Sequence, residues 1–303
     1  MTVLVISDDV RAALSDGRGA VALETSVIGQ GLPHPRNLEC IARMSGAISA
    51  VGAVPAWIGT VDGSLKVGLS REDLERFAEP GNAVKVARRD LPMAIANGAL
   101  GATTVSATIW AARAAGIVVG ATGGIGGVHP GEGDVSADLL ELARTPVLLV
   151  CSGPKSIIDA GATSEKLEEL GVALVGYGVG RLPWFLAREA PDVELEHRVD
   201  SPSEAARLVK AHAGIGVESA ILLCNPIPEA YAMDRVEVAA AASEAEARAE
   251  REGVHGKART PFLLAALAEL TGGRSLEANL ALLEDNARVA GQIAAAVSAA
   301  RSG

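Results

Sequence analysis

Short apolar runs rich in β-branched residues recur along the chain, and most are bounded by glycine, proline or aspartate turns. Such runs, without regular polar alternation, are typical of strands that are buried on both faces of a sheet. The pattern predicts strands at 20–23, 54–60, 117–119, 146–150, 172–177 and 219–224.

The segments between and after these runs favour helices. The clearest start is Ser70, because a serine cap is followed by acidic residues that suit the helix dipole. The predicted helices cover 8–16, 37–52, 103–115, 137–144, 200–213 and 235–252, and others begin near Ser70, Pro261 and Ser275.

The alternation of strands and helices predicts an α/β fold. We expect an α/β/α sandwich around a mostly parallel sheet, with a helical C-terminal region. The sequence contains no internal repeat, low-complexity linker or clear boundary. We therefore expect residues 1–303 to form a single domain.

Composition and charge narrow the function. The net charge of −10 argues against a general nucleic-acid binder, although local cations in one site still permit an anionic substrate. Cys40, Cys151 and Cys224 are isolated and lack metal-binding spacing, which predicts buried thiols in a reducing compartment. With no signal-peptide pattern and no apolar segment near the ~18 residues that span a bilayer, we expect a soluble, cytoplasmic protein.

Residues 120–138 combine glycines with reactive side chains more densely than any other stretch. The glycines permit backbone N–H groups to face an anion, and the spacing matches neither the dinucleotide nor the Walker fingerprint. Thr122 offers a hydroxyl, His129 a proton-transfer group, and Asp134 and Asp138 hard oxygen ligands. The stretch predicts a site for a phosphorylated small molecule near a divalent cation; a glycine-rich surface loop is the alternative.

Charged residues follow or interrupt other predicted strands. Glu24 comes directly after a buried strand, where partial desolvation raises a carboxyl pKa and suits it to proton transfer. Lys85 lies between two valines, where it either meets a phosphate or belongs to a solvated basic edge.

Lys155 lies where a helix is expected to begin, so the helix dipole disfavours its cationic form. A neutral amine is the form that Schiff-base chemistry requires. A lysine that merely caps the loop is the alternative, and the residues alone leave both open. Because Glu24, Lys85, Thr122, Lys155 and Asn225 mostly lie at strand ends, we expect them to share one site.

Eight motifs recur in the order found in one known family. They are G-L-P-H-P-R-N (31–37), V-D-G-S-L-K-V-G-L (61–69), K-V-A-R-R-D-L (85–91), G-A-T-T-V-S-A-T (101–108), A-T-G-G-I-G-G-V-H (121–129), D-V-S-A-D-L (134–139), C-S-G-P-K-S-I-I-D (151–159) and N-P-I-P-E (225–229). Over about 21–294 the chain thus resembles the pseudouridine-5′-phosphate glycosidases.

The resemblance implies reversible cleavage of the C–C bond that joins uracil to ribose 5-phosphate. The paired-carboxylate route of ordinary glycosidases suits a carbon leaving group poorly. The resemblance implies instead that the ribose ring opens and that a lysine captures C1′, the resulting imine acting as an electron sink. Lys155 matches the Schiff-base lysine, and Glu24 matches the proton donor.

Other positions are carried over in the same way. Lys85 matches the phosphate-side lysine, and Asp134 matches the ligand of a divalent cation, usually Mn²⁺, whose shell waters complete. Family membership also implies a homotrimer. The implied substrate pocket contains Val105, Ser136, Ala137, Asp138 and Asn279. The resemblance also implies that His129 relays a proton and that Thr122 binds the phosphate.

The chain departs from the family pattern at three places. Thr25 and Ser26 are exchanged, Gln30 replaces a histidine, and residues 178–185 are more apolar and include an arginine. The last two motivate an alternative, a C-glycosynthase that joins ribose 5-phosphate to another aromatic aglycone. A second alternative is a non-catalytic sugar-phosphate-binding protein, against which the joint presence of Glu24, Lys85, Asp134 and Lys155 argues.

Overall fold

Eleven strands form one sheet in the part of the chain that the computed structural model describes, residues 3–131 and 134–302 without the side chains of 301 and 302. In chain order they are β1 (Leu4–Ile6), β2 (Ala20–Glu24), β3 (Val54–Val61), β4 (Ser64–Val67), β5 (Val84–Val86), β6 (Gly101–Thr103), β7 (Val119–Ala121), β8 (Leu148–Cys151), β9 (Ala173–Tyr177), β10 (His197–Val199) and β11 (Ile221–Cys224). Their spatial order is β1-β4-β3-β2-β7-β8-β11-β9-β10, with β6 beside β3 and β5 beside β6.

The sheet is mostly parallel, as predicted. Among the paired strands of the described chain, only β3–β4 and β3–β6 are antiparallel. All six predicted strands are present, some with shifted ends. The sequence pattern missed β1, β4, β5, β6 and β10; of these, β1, β4, β5 and β10 are not buried along their whole length, and β6 is the weakly apolar Gly-Ala-Thr.

Helices cover both faces of this sheet. They are α1 (Asp8–Ser15), α2 (Arg36–Ser49), α3 (Arg71–Ala78), α4 (Leu91–Ala96), α5 (Val105–Ala114), α6 (Ala137–Leu142), α7 (Ala160–Glu169), α8 (Pro202–Gly214), α9 (Arg235–Arg251), α10 (Arg259–Leu270) and α11 (Arg274–Ser302). The long helix α11 packs on β2, β7 and β8 and holds α2 and α8 beside it, whereas α1, α4 and α5 belong to the opposite face. The predicted α/β/α sandwich with a helical C-terminal region is confirmed.

One predicted helix start is confirmed by the structure, and another is shifted. The predicted cap at Ser70 is present: its Oγ accepts from the Asp73 N–H at 3.1 Å, and the Asp73 carboxylate accepts from the Ser70 N–H at 3.4 Å. The helix predicted from residue 103 begins instead at Val105. Thr103 ends β6, and its N–H donates to Thr25 Oγ1 from a segment 78 residues away.

The three cysteines Cys40, Cys151 and Cys224 are buried free thiols, as predicted. Burial raises the pKa of the Cys40 thiol. Of the described helices, none is both long and apolar enough to cross a membrane.

Candidate active site

A cavity of about 200 Å³ lies beside the carboxyl ends of the neighbouring strands β2, β7 and β8. Glu24 is the last residue of β2, Thr122 follows β7, and Lys155 lies in the loop after β8; all three line the cavity. The carboxyl ends of parallel strands meet at one edge of a sheet, so the topology gathers residues that are far apart in sequence.

Glu24 is buried between two hydroxyl groups. Ser26 Oγ donates to Glu24 Oε2 at 2.6 Å, and Thr122 Oγ1 donates to Glu24 Oε1. Burial raises the pKa of Glu24, and the charge of Lys155 and both hydrogen bonds oppose the rise only in part. Glu24 therefore keeps its proton to higher pH than an ordinary glutamate, as its position after a buried strand predicted.

Lys85, on β5, lines the cavity together with Lys155, so the site contains at least two cationic side chains. Burial lowers the pKa of Lys85 most, the charge of Lys155 lowers it further, and Asp138 and Glu24 act in the opposite direction. The two lysines thus repel each other across the cavity. An anionic ligand bound between them relieves this repulsion, so the arrangement favours a phosphorylated molecule.

The helix predicted to begin at Lys155 does not begin there, so this lysine does not lie at the positive end of a helix dipole. Helix α7 starts at Ala160, where Asp159 caps it. The delay arises at Gly153, whose φ of +78° turns the chain and whose missing Cβ leaves room for the Pro183 carbonyl. The Lys155 N–H then donates to the Ile125 carbonyl at 3.1 Å, which ties this loop to the glycine-rich segment.

Asp138 fixes the glycine-rich segment in place. Its Oδ1 accepts from the Ser106 N–H at 3.0 Å and its Oδ2 from the Gly126 N–H at 3.2 Å. A Cβ at Gly126 would lie 2.5 Å from Ser136 Oγ, so the segment passes where only glycine fits. Ser136 in turn caps α6 by accepting from the Asp138 N–H.

Helices α10 and α11 supply the other wall of the cavity. Thr260, Pro261 and Leu264 come from α10, and Asn279 and Leu283 come from α11. This wall is largely apolar, unlike the charged wall at the strand ends.

Further along α11, the buried Asn286 amide donates to the Thr122 carbonyl at 2.9 Å and to Ser152 Oγ at 3.1 Å. Helix α11 therefore holds the segments that carry Thr122 and Lys155. Asn225, which we expected in the site, does not line the cavity; its amide donates to Asn286 Oδ1 at 2.9 Å and supports this network from behind.

Asp134, the predicted metal ligand, lines the cavity with an exposed side chain. The described residues include no group of three or more histidine, cysteine, aspartate or glutamate side chains that could hold a metal ion. The neighbouring Asp138 and Glu24 oxygens already accept hydrogen bonds. The donor set therefore fits only a hard cation that keeps most of its waters and takes one carboxylate, as Mg²⁺-type sites do.

The cavity brings together nearly all of the predicted site residues. Glu24, Lys85, Thr122, His129, Asp134, Ser136, Ala137, Asp138, Lys155 and Asn279 line it. Val105 does not: it is buried at the start of α5, behind its cavity-lining neighbour Thr104. The chemical roles assigned to these residues stay predictions.

Other lining residues were not predicted. Arg89 lies in the K-V-A-R-R-D-L motif and Phe185 in the segment 178–185, but neither was expected in the site, and no local motif marks Lys257. The Lys257 ammonium donates to Asp90 Oδ2 at 2.8 Å and thereby joins the loop before α10 to the segment after β5. Only this long-range contact identifies it as part of the wall.

The departures from the family pattern fall at different distances from the cavity. Ser26 and Gln30 line it, and the Gln30 Oε1 atom is buried without a hydrogen-bond partner among the described residues. Arg181, in contrast, lies on the surface near Glu189 and Glu194. Of residues 178–185 only Phe185 reaches the cavity.

Comparison with known proteins gives one consistent result over the whole chain. The family described as "Indigoidine synthase A like protein" matches residues 9–296. The chain is 48% identical to the pseudouridine-5′-phosphate glycosidase of Hahella chejuensis, covering 96% of this chain and 97% of that protein. It is also 48% identical to the pseudouridine-5′-phosphate glycosidase of Escherichia coli, covering 96% and 95%.

Solved structures share the fold. The prealnumycin C-glycosynthase AlnA, crystallised in complex with ribulose 5-phosphate, has a TM-score of 0.90 and 42% identity, covering 100% of this chain and 99% of that chain. An indigoidine synthase A-like protein from Thermotoga maritima has a TM-score of 0.90 and 37% identity, covering 98% and 97%.

Proposed function

The chain belongs to the indigoidine synthase A-like family, which includes the pseudouridine-5′-phosphate glycosidases, and from this premise we propose that it cleaves pseudouridine 5′-phosphate reversibly to uracil and ribose 5-phosphate. The observation that carries the proposal is the joint presence of Glu24, Lys85 and Lys155 around one cavity. These side chains supply a proton donor, an anion-binding cation and an amine nucleophile.

In the proposed reaction Glu24 acts first. Its raised pKa keeps a proton available, and donation of this proton to the ribose ring oxygen breaks the C1′–O4′ bond. Lys155 Nζ then bonds to C1′. The bonded nitrogen gives up a proton to Glu24, which is now ionised. As the bond from C1′ to uracil C5 breaks, its electron pair takes up this proton from Glu24 at C5, and the nitrogen lone pair forms the C1′=N imine. Water hydrolyses the imine, which releases ribose 5-phosphate and restores the amine.

We assign the phosphate to Lys85. This lysine is poorly solvated and is repelled by Lys155, so a phosphate dianion gains more from it than from a solvated surface lysine. Arg89, an exposed residue of the cavity wall, adds positive charge at the same side. Phosphate binding also provides the energy with which the ribose is held against Glu24 and Lys155.

We further propose one divalent cation, Mn²⁺, at Asp134. An exposed carboxylate on the cavity wall suits a hard cation that retains most of its water shell. Such a cation supplies charge that offsets the negative charge of bound phosphate or of a developing oxyanion.

A second candidate function is C-glycosynthesis from ribose 5-phosphate and another aromatic aglycone. The 42% identity to AlnA and the position of Gln30 in the cavity wall support it. The higher identity to the two glycosidases favours uracil, and the surface position of Arg181 removes one of the two departures that motivated the alternative. Sugar-phosphate binding without catalysis is the third candidate, which the buried Glu24 disfavours.

Uracil release from pseudouridine 5′-phosphate, measured with and without Mn²⁺, tests the main proposal. A parallel sample with ribose 5-phosphate and borohydride tests for the imine, because reduction fixes the sugar on the lysine and peptide mass spectrometry locates it. Release of uracil together with an adduct on Lys155 supports the glycosidase. An adduct without release favours the synthase, and the absence of both favours simple binding.

Two properties of the protein outside the site are also proposals. The buried free thiols Cys40, Cys151 and Cys224 favour a reducing, cytoplasmic location. We also propose the homotrimer that the family resemblance implies, and exposed apolar side chains such as Val84 and Met93 offer surface for contacts between copies. Light scattering after size exclusion measures the trimer, and a monomer over the whole concentration range contradicts it.

A further inference from the structure

Three buried polar atoms without hydrogen-bond partners among the described residues lie in one cluster behind the cavity. They are His129 Nδ1, Glu246 Oε1 and Arg259 Nε. His129 Nδ1 is 3.7 Å from Glu246 Oε1, and Arg259 Nη2 is 2.6 Å from Glu246 Oε2. The exposed fractions of the three side chains are only 8%, 13% and 11%.

Buried polar atoms that lack partners are costly, so the orientation of this cluster calls for an explanation. Glu246 Oε1 and His129 Nδ1 face each other slightly beyond hydrogen-bond distance, and a shift of roughly 0.5 Å brings them into range. An ionised carboxylate can only accept, so the imidazole nitrogen in this pair must carry a proton. His129 lines the cavity, which leaves Nε2 as its nitrogen for contact with a ligand.

The three residues of the cluster come from three different segments of the chain. His129 belongs to the glycine-rich segment, Glu246 to α9, and Arg259 is the first residue of α10. The ion pair between Glu246 and Arg259 fixes the carboxylate from the side opposite to the imidazole. The carboxylate is thus held in place independently of the histidine.

We propose that Glu246 is a positioning residue for His129: it accepts the Nδ1–H and directs Nε2 into the cavity, while Arg259 anchors the carboxylate. A histidine oriented in this way presents Nε2 as a hydrogen-bond acceptor to a hydroxyl of the bound ribosyl substrate. This contact with the substrate rests on the proposed function, whereas the orientation of the ring does not.

Nitrogen NMR of ¹⁵N-histidine-labelled, metal-free protein at fixed pH tests the orientation directly. The chain has five histidines, and the His129→Gln variant identifies the signals of His129. We expect a protonated Nδ1 in the wild type and loss of that preference in Glu246→Ala and in Glu246→Gln, because the one amide oxygen of glutamine pairs with Arg259 and leaves its NH2 group facing Nδ1. An unprotonated Nδ1 in the wild type, or an unchanged signal in Glu246→Ala, overturns the proposal.

Steady-state kinetics of uracil release test whether Glu246 acts through His129. We expect Glu246→Ala to lower kcat by about 10- to 100-fold with little change in KM, and Glu246→Gln to show a similar loss, because its NH2 group cannot accept the Nδ1–H. The His129→Gln/Glu246→Ala double variant should be no slower than His129→Gln alone, because the two residues act as one unit. Multiplying losses indicate a separate structural role and contradict the proposal.

Glu244→Ala is the matched control. Glu244 is on the same helix, is exposed, and pairs with Arg248 and Arg251, so its replacement removes two surface ion pairs without touching the cluster. We expect wild-type kcat and an unchanged His129 spectrum. If the wild type releases no uracil, the proposed reaction fails while the NMR result still decides the orientation of His129.

Discussion

The two walls of the cavity differ in kind. The strand-end wall (Glu24, Lys85, Thr122 and Lys155) comes from segments at the carboxyl edge of the sheet and carries the charges. The helix wall (Thr260, Pro261, Leu264, Asn279 and Leu283) comes from α10 and α11 and is largely apolar. In the proposed function, one wall performs the chemistry, whereas the other excludes water and shapes the space for the substrate.

The two parts of the site also differ in how completely their polar atoms are hydrogen-bonded. Both Glu24 oxygens accept from hydroxyl groups in the folded protein, so the strand-end wall is organised before any ligand binds. The unpaired atoms of His129, Glu246 and Arg259 lie instead where the glycine-rich segment meets the C-terminal helices. We expect substitutions of Glu24 and Lys155 in the strand-end wall to change kcat, and those of Lys85 and of the helix wall to change mainly KM.

The largest effect is expected for Lys155→Ala. Loss of the nucleophile should lower uracil release by about four to six orders of magnitude while the thermal midpoint stays close to that of the wild type. The control is Lys166→Ala, because Lys166 is on the surface of α7 and pairs with Glu169. A variant that has lost its folded structure instead identifies Lys155 as structural.

Glu24→Gln should lower kcat by about 10²- to 10⁴-fold, since the amide cannot donate the proton that opens the ring.

The same variant should also change how the free energy of unfolding depends on pH. Below the ordinary pKa of 4.5, Glu24 is protonated in both the folded and unfolded states. As the pH rises, the unfolded chain ionises first, so the unfolding free energy of the wild type falls relative to that of Glu24→Gln.

Urea unfolding of both proteins at pH 4.5 and pH 7 measures this difference. A wild type that gains stability relative to the variant on going to pH 7 contradicts the raised pKa of Glu24.

Lys85→Met should raise the KM for pseudouridine 5′-phosphate by about 10- to 100-fold, because a charge-assisted contact to phosphate is lost. Pseudouridine without the phosphate separates binding from chemistry, since its KM should hardly respond to the substitution. If the substitution changes the KM of both substrates equally, Lys85 does not bind the phosphate.

Asp134→Asn should raise the Mn²⁺ concentration needed for half-maximal activity by about 10-fold, because a neutral amide binds a hard cation more weakly. Activity is measured over a Mn²⁺ titration after chelation. Asp192→Asn, in the loop between β9 and β10 and outside the cavity wall, serves as the control. Full wild-type activity after complete chelation contradicts the metal proposal altogether.

The smallest effect is expected in the helix wall. Leu264→Ala should raise the KM for uracil in the direction of synthesis by about 3- to 10-fold with little change in kcat, because it removes only apolar contact. Leu276→Ala, a half-buried leucine of α11 outside the cavity wall, controls for lost packing. If Leu264→Ala lowers kcat as much as Glu24→Gln does, the proposed difference between the two walls is wrong.

Much of this site could be predicted because its residues lie in short motifs. Glu24 and Thr122 were expected to meet because each follows a predicted strand of one sheet, and both line the cavity together with Lys85, which lies on the unpredicted strand β5. Lys155 was placed correctly in the site but for the wrong local reason. Gly153 and the Pro183 carbonyl shape its loop, and Pro183 is 28 residues away along the chain from Lys155.

By itself, the sequence determined the alternation of strands and helices, the apolar core, the glycine-rich segment and the residues that bear the chemistry. These features depend on local composition and spacing, which the chain carries in every conformation. Only the tertiary structure decided that Thr122 donates to Glu24 across 98 residues, that Asn286 holds the Thr122 and Ser152 segments, and that α9 and α10 bring Glu246 and Arg259 behind His129. Contacts of this kind depend on which surfaces pack together when the apolar faces of the helices are buried, and no local pattern encodes that choice.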